Sequence, residues 1–323
     1  MTARVVCIGE AIIDLIVRGR VLDVRVGGAP VNLAVGLTRL GVDVRFAGCV
    51  GNDWYGRLIE SSMRTLGVAS FLEKVSGVPT RTAIVSHDAR RERRFEFVPP
   101  GSAAENAISP TLLRRVFKES PQALAFGTIP FSQGRGIQGF ERFLRTAGRR
   151  GILRFFDPNV RLSLFDGIVH LRRTFESLVG HADVVRLNAD ELRLLTRRRT
   201  LVSGANSILK RGAILVLVTD GAKGSWAIDR DGVLHCPAFR VHTRDTTGCG
   251  DAFSAASLAL LAGQSRPDRE TLARILREGN AAGALAALKV GGTDSMPSRS
   301  TLRRFLNARL RGGGAPSQSI AGA

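Results

Sequence analysis

The sequence predicts an α/β protein: a mostly parallel central sheet flanked by helices on both faces, with a small separate β-sheet. Two patterns carry that expectation. Short, apolar, β-rich runs alternate with stretches whose apolar residues recur at the helical spacing, as parallel strands joined by crossover helices would. Two segments, residues 14–28 and 81–99, break the alternation with short β runs and charged turns.

The elements follow in order. Arg4-Val5-Val6-Cys7-Ile8-Gly9 is the first apolar run, and Glu10 and Asp14 within residues 1–17 mark this stretch as a strand, not a signal peptide. Further strands are expected at 44–50, 82–86, 123–126, 152–156, 184–187 and 214–219. Helical spacing appears at 30–40, 54–66, 137–147 and 189–195. Ligands in such folds bind outside the C-terminal ends of the strands. In the interrupting segments, the alternation Arg94, Phe95, Glu96, Phe97 suits a sheet with one wet face. These segments read as a lid that closes over a substrate and excludes water. Residues 1–311 read as one domain, and the Gly/Ala/Ser-rich stretch 312–323 as a flexible tail. The longest apolar run, 252–263, is too short to span a bilayer.

Composition narrows the classes. The four cysteines are scattered, without a Cys-x-x-Cys pair or a nearby histidine cluster, which argues against zinc or a disulfide framework and suits a reducing cytoplasm. The formal charge is +19 and comes mostly from arginine, so polyanions are attracted. The arginines, however, are spread along the chain without interleaved aromatic residues, and no nucleic-acid-binding motif appears. They read as solubilising charge. An inactive, nucleic-acid-associated protein is the alternative from another class.

The most informative string is Asp245-Thr246-Thr247-Gly248-Cys249-Gly250-Asp251-Ala252-Phe253. A Gly-x-Gly turn opening an apolar helix presents backbone N–H groups and the positive helix end to an anion such as phosphate. A carboxylate on that rim repels phosphate. It makes sense if Asp251 takes a proton from a hydroxyl that is about to attack. A plain Gly-rich turn is the bland reading.

Four other strings bear on chemistry. Gly27-Gly28-Ala29-Pro30-Val31-Asn32 runs into a helix whose first turn carries Asn32, a donor and acceptor suited to sugar hydroxyls, or merely a helix cap. Asp14 lies just past the first strand, where a carboxylate accepts hydroxyl hydrogen bonds. Asp157-Pro158-Asn159-Val160-Arg161 follows a strand, and Arg161 suits a phosphate or carboxylate, or an exposed turn. Asn188 and Glu191 at a helix start share a face, as a capping box also requires.

In this order, from residue 4 to 306, the strings resemble the ribokinase/PfkB family of carbohydrate kinases, in its fructokinase-like branch. The resemblance implies a ribokinase-like three-layer sandwich with a β-sheet lid and an ATP-dependent sugar kinase, with fructose as the foremost substrate. 2-Keto-3-deoxygluconate kinase, ribokinase and nucleoside kinase are the alternatives within the family. It implies Asp251 as base, beside an anion site made by Gly248, Cys249 and Gly250; the family usually has Ala where Cys249 stands. Asp14, Gly27, Gly28, Asn32 and Arg161 would hold the sugar, with Asp251. Asn188, Thr219, Gly221, Gly224, Gly250 and Asn280 would contact ATP. Glu191 would support Mg²⁺ through water. Asp245, Thr247, Ala286, Lys289, Gly291 and Ser295 match a monovalent-cation (K⁺) site of some relatives. Relatives often dimerise through the lid, so a homodimer is a further expectation.

Overall fold

The structure, a computed structural model, describes residues 4–18, 20–87, 93–264, 266–311 and 319–320. The first strand, β1 (Arg4–Ile8), is followed by β2 (Ile12–Arg18) and β3 (Val21–Gly27). The stretch expected to be one strand is therefore two, because Gly9–Ala11 breaks the chain out of the central sheet before the lid begins. Next come α1 (Ala29–Arg39), β4 (Asp43–Gly51), α2 (Trp54–Thr65), β5 (Ala69–Val75), β6 (Thr82–His87) and β7 (Arg93–Val98). The middle of the chain gives α3 (Pro110–Lys118), β8 (Ala123–Phe126), α4 (Ile137–Arg149), β9 (Leu153–Phe156), α5 (Gly167–Val179), β10 (Val184–Asn188), α6 (Ala189–Thr196) and α7 (Leu201–Leu209). It closes with β11 (Leu215–Thr219), β12 (Ser225–Asp229), β13 (Gly232–Cys236), α8 (Cys249–Leu261), α9 (Arg269–Ala287), α10 (Arg299–Arg311) and β14 (Ser319–Ile320).

The central sheet has the order β14-β13-β12-β11-β10-β9-β8-β1-β4-β5. It is parallel from β11 through β5 and antiparallel at the β11–β12–β13–β14 edge. Side chains along a strand alternate faces, so each buried strand feeds two cores. Val5, Cys7, Phe155, Leu215 and Leu217 pack with α1, α2, α8 and α9. Val6, Ile8, Phe156, Val216 and Val218 pack with α3 to α7. Phe126, Phe156 and Phe175 form a stacked run through the second core, with ring centroids 5.0 and 5.9 Å apart. Three layers result, as expected.

A second sheet, β3-β2-β6-β7, stands apart and is built from the two interrupting segments. Phe97 turns inward and Glu96 outward on β7, in line with the expected alternation; the side chains of Arg94 and Phe95, and residues 88–92, lie outside the described residues. The tail read as flexible contributes β14, paired with Leu234 and His235; residues 312–318 and 321–323 lie outside the described residues. No helix among the described residues is long and apolar enough to cross a membrane.

Candidate active site

Parallel strands end at one edge, and there the site is assembled. The chain leaving β1 carries Glu10, that leaving β8 carries Thr128, and that leaving β9 carries Asp157 and Asn159. Arg186 and Asn188 lie near the end of β10, and Thr219 closes β11. The helices α1 and α8, which pack on one another, bring their N-terminal turns to the same edge.

The turn into α8 is set by Gly248, whose φ of 80° is left-handed and open to glycine. A Cβ there would also lie 2.9 Å from Met296 and 3.0 Å from the Ser295 hydroxyl. The first N–H groups of a helix have no intrahelical acceptor. Here the Cys249 N–H is engaged by the Thr246 carbonyl at 3.2 Å and the Ala252 N–H by Gly248 at 2.8 Å. Among the described residues, the Gly248, Gly250 and Asp251 N–H groups have no hydrogen-bond acceptor, so they are open to an anion. The Cys249 N–H, expected at the anion with its neighbours, bonds the Thr246 carbonyl within this turn.

Asp251 follows in the first turn of α8 and accepts a 2.7 Å hydrogen bond from Nδ2 of Asn32 on α1. Burial pushes its carboxyl up to about 6; the Asn32 bond opposes this, Asp157 adds to it, and Arg186 and Arg161 oppose it. A carboxylate poised near neutrality suits a general base. Oδ1 of Asn32 is buried without a partner among the described residues.

Two cavities meet at this turn. One, of about 430 Å³, is lined by Asp14, Gly28, Asn32, Asn159, Arg161, Asn188, Glu191, Gly248 and Asp251, together with lid residues Ile12, Ala83 and Phe97. The other, of about 450 Å³, is lined by Thr219, Gly221, Gly224, Phe239, Cys249, Gly279 and Asn280. Arg186, Thr246 and Gly250 belong to both. The residues expected at the sugar thus share one cavity, apart from Gly27, which ends β3 directly over Asp14: a Cβ there would lie 2.4 Å from Oδ2 of Asp14. Of those expected at ATP, Thr219, Gly221, Gly224, Gly250 and Asn280 line the second cavity, whereas Asn188 lines the first. Asn280 also donates to the Cys236 and Pro237 carbonyls, at 2.9 and 3.1 Å.

Asn188 and Glu191 form the capping box that the spacing allowed. Asn188 Oδ1 accepts from the Glu191 N–H at 2.8 Å, and Glu191 Oε2 accepts from the Asn188 N–H at 2.9 Å. Glu191 Oε1 accepts from the Val160 N–H at 2.9 Å. Burial raises the Glu191 carboxyl pKa, Asp157 adds to this, and Arg186 opposes it. The side chain is fixed at the cavity wall, and carboxylate oxygens retain further lone pairs for a metal-bound water. No cluster of three or more His, Cys, Asp or Glu among the described residues could cage a metal.

The residues expected at a monovalent cation are also drawn together. Asp245 accepts the Thr247 N–H at 2.8 Å and the Gly291 N–H at 2.9 Å, which pins the turn before α8 to the loop after α9. Ser295 Oγ donates to Gly292 O at 2.8 Å within that loop. The Ala286 carbonyl, by contrast, accepts the Lys289 N–H at 3.0 Å as α9 ends.

Sequence reasoning passed over Arg186, Asp157, Ser254 and Glu10. Arg186 donates to Asp157 at 3.2 Å and to Thr219 Oγ1 at 2.8 Å, and Asp157 accepts from Ser254 Oγ at 2.9 Å. Glu10 is 2% exposed, and burial pushes its carboxyl up to about 8. The signal was present: Arg186 is a lone charge inside Val184-Val185-Arg186-Leu187, a run that otherwise reads as a fully buried strand.

A family model described as pfkB family carbohydrate kinase matches residues 2–299. A fructokinase of Klebsiella pneumoniae is 33% identical over 311 residues, covering 95% of this chain and all of that protein. The crystal structure of a fructokinase with bound ATP from Xylella fastidiosa superposes with a TM-score of 0.87 at 28% identity, over 96% of this chain and 100% of the other. A fructokinase double mutant from Vibrio cholerae O395, bound to fructose, ADP and potassium ion, gives a TM-score of 0.84 at 27% identity, over 94% and 98% of the two chains.

Proposed function

This chain belongs to the pfkB family of carbohydrate kinases, and on that premise we propose that it is a fructokinase, transferring the γ-phosphoryl group of ATP to a hydroxyl of fructose. The observation that carries the reading is the position of Asp251. It stands on the first turn of α8, hydrogen-bonded to Asn32, where a lid-covered cavity meets a second, glycine-lined one. The fructokinases of similar sequence and structure support fructose as the sugar.

In this mechanism the sugar lies in the first cavity under β2, β6 and β7, held by Asp14, Asn32 and Arg161. Asp251 Oδ accepts the proton of the attacking hydroxyl. The Gly250 and Asp251 N–H groups and the positive end of α8 stabilise charge on the transferred phosphoryl oxygens. The nucleotide occupies the second cavity along Thr219, Gly221, Gly224 and Asn280. Mg²⁺ would be held through water by Glu191 and would neutralise phosphate charge. Asp245, Thr247 and the 289–295 loop would hold K⁺ largely by carbonyl oxygens. The lid excludes water, so that the phosphoryl group passes to the sugar.

Measurement of ADP release against fructose, ribose, 2-keto-3-deoxygluconate and nucleosides tests the reading. Release dependent on fructose above the other acceptors is expected. Turnover of another acceptor with fructose inert would overturn the substrate, and no acceptor-dependent release would overturn the activity.

A further inference from the structure

We propose that Arg186 is a further residue of the transfer site, a cation that holds charge on the phosphoryl group in flight and keeps Asp251 ionised. The proposal rests on the kinase reading above. Its starting point is an expensive placement: on β10, Arg186 sits between the fully buried Val185 and Leu187 and is itself only 7% exposed. A buried cation is destabilising unless it is matched by acceptors. NH1 finds Asp157 and NH2 finds Thr219, while Nε is buried without a partner among the described residues. Burial lowers the guanidinium pKa, but Asp157, Glu191 and Asp251 outweigh it, so the charge is kept.

Its location decides the role. A Cβ on Gly250 would lie 2.7 Å from NH2 and 2.8 Å from NH1, so the guanidinium packs directly against the turn whose N–H groups face the anion. Arg186 lines both cavities, and among the described residues only Thr246 and Gly250 share that property. Asp157 is itself tied to α8 through Ser254, so β9, β10, β11 and α8 all fix the guanidinium in place. A planar, permanently charged fork at this junction suits tetrahedral phosphate oxygens.

The second effect acts on Asp251. The groups that face its carboxylate are Asn32 from α1, Glu10 after β1, Asp157 and Arg161 after β9, Arg186 on β10 and Cys249 on α8. Asp157 and Glu10 disfavour the ionised base, whereas Arg186 and Arg161 favour it. Removal of the Arg186 charge therefore moves the Asp251 pKa upward.

Arg186→Gln keeps a donor for Asp157 but no charge, and Arg186→Lys keeps the charge without the fork. Both are compared with wild type for kcat, ADP affinity and the pH dependence of kcat/KM, using the sugar that wild type phosphorylates. Arg186→Gln is expected to lower kcat by about 10²–10³-fold, as loss of one transition-state donor does, with ADP affinity changed by less than about threefold. Its acid limb should move to higher pH, and Arg186→Lys should restore the limb and part of the rate. A Gln variant with kcat within about threefold of wild type, or with an unmoved limb, overturns the proposal. Loss of ADP affinity in step with kcat also overturns it. If Arg186→Gln fails to fold, the Lys variant decides: a limb displaced upward despite the retained charge sinks the idea. A wild type without sugar-dependent ADP release would instead sink the kinase reading, so the two failures are separable.

Discussion

Nδ2 of Asn32 and Oδ2 of Asp251 are 2.7 Å apart across 219 residues of sequence, and this bond joins the first turns of α1 and α8. A donor on the charged carboxylate favours ionisation, so it opposes the rise that burial imposes and leaves Asp251 at about 6. Asn32→Leu removes the donor, which raises that pKa. A base works deprotonated, so with Asp251 in that role the acid limb of kcat/KM, expected near pH 6 in wild type, should move to higher pH in the variant. pH–rate profiles of the two proteins check this, and a limb that stays or moves down counts against Asp251 as the titrating base.

Asp251→Asn keeps the shape of the side chain and removes its basicity. General-base catalysis contributes about 10²–10⁴-fold, and turnover should fall by that factor. Asp251 does not line the second cavity, the one proposed for the nucleotide, so ADP affinity measured by calorimetry should hold. Near-normal phosphorylation by this variant would remove Asp251 from the mechanism.

Much of this was legible in the sequence because the relevant signals are local. The Gly-Cys-Gly-Asp turn, the Gly28–Asn32 helix start and the two lid segments each declare themselves within a few residues. The layered fold follows from the alternation of apolar runs, and those runs are buried on both sheet faces as expected. The Arg186–Asp157–Ser254 network was not legible, since its members come from three elements and meet only when β9, β10 and α8 pack. The hairpin β12–β13 was passed over because an antiparallel edge breaks the strand–helix rhythm that revealed the rest. Which amide closes the α8 turn is also a matter of backbone geometry, and Cys249 shows no sign of it in its side chain.

Cys249 stands inside the turn proposed to bind phosphate, yet its thiol should be inert. Burial pushes it up to about 11, with Asp245 and Asp251 adding to the rise, so it stays protonated at neutral pH. Its Sγ lies 3.8 Å from the Asp245 carbonyl oxygen. Cys249→Ala should leave kcat within about twofold, and alkylation by iodoacetamide should be slow. A tenfold loss on substitution, about 1.4 kcal/mol of transition-state stabilisation, would show that the thiol takes part.

The lid face turned away from the cavity carries apolar side chains left exposed among the described residues: Leu22 is 54% exposed, with Val17 and Val24 beside it on the same face. On this face we propose the homodimer through the lid that the family resemblance led us to expect. Leu22→Glu should shift the protein toward monomer in sedimentation velocity without lowering its melting temperature. A wild type that is monomeric at all concentrations would rule the interface out.

The root of the lid is held by an ion pair, and its loss should be felt in stability. Arg81 and Glu105 are each 1% exposed; Nε of Arg81 donates to Oε1 of Glu105, and NH1 and NH2 reach the Pro99 and Gly101 carbonyls. Arg81 directly precedes β6, so the pair fixes the point where the lid leaves the body. Removing one member leaves the other charge buried and uncompensated, at a cost of about 3–5 kcal/mol. Arg81→Met should lower the free energy of unfolding in urea by that amount. Adding Glu105→Leu should recover a large part of it, because the orphaned carboxylate is then gone. If the double variant is no more stable than Arg81→Met, the loss lies in the carbonyl contacts to Pro99 and Gly101 and not in the unpaired charge.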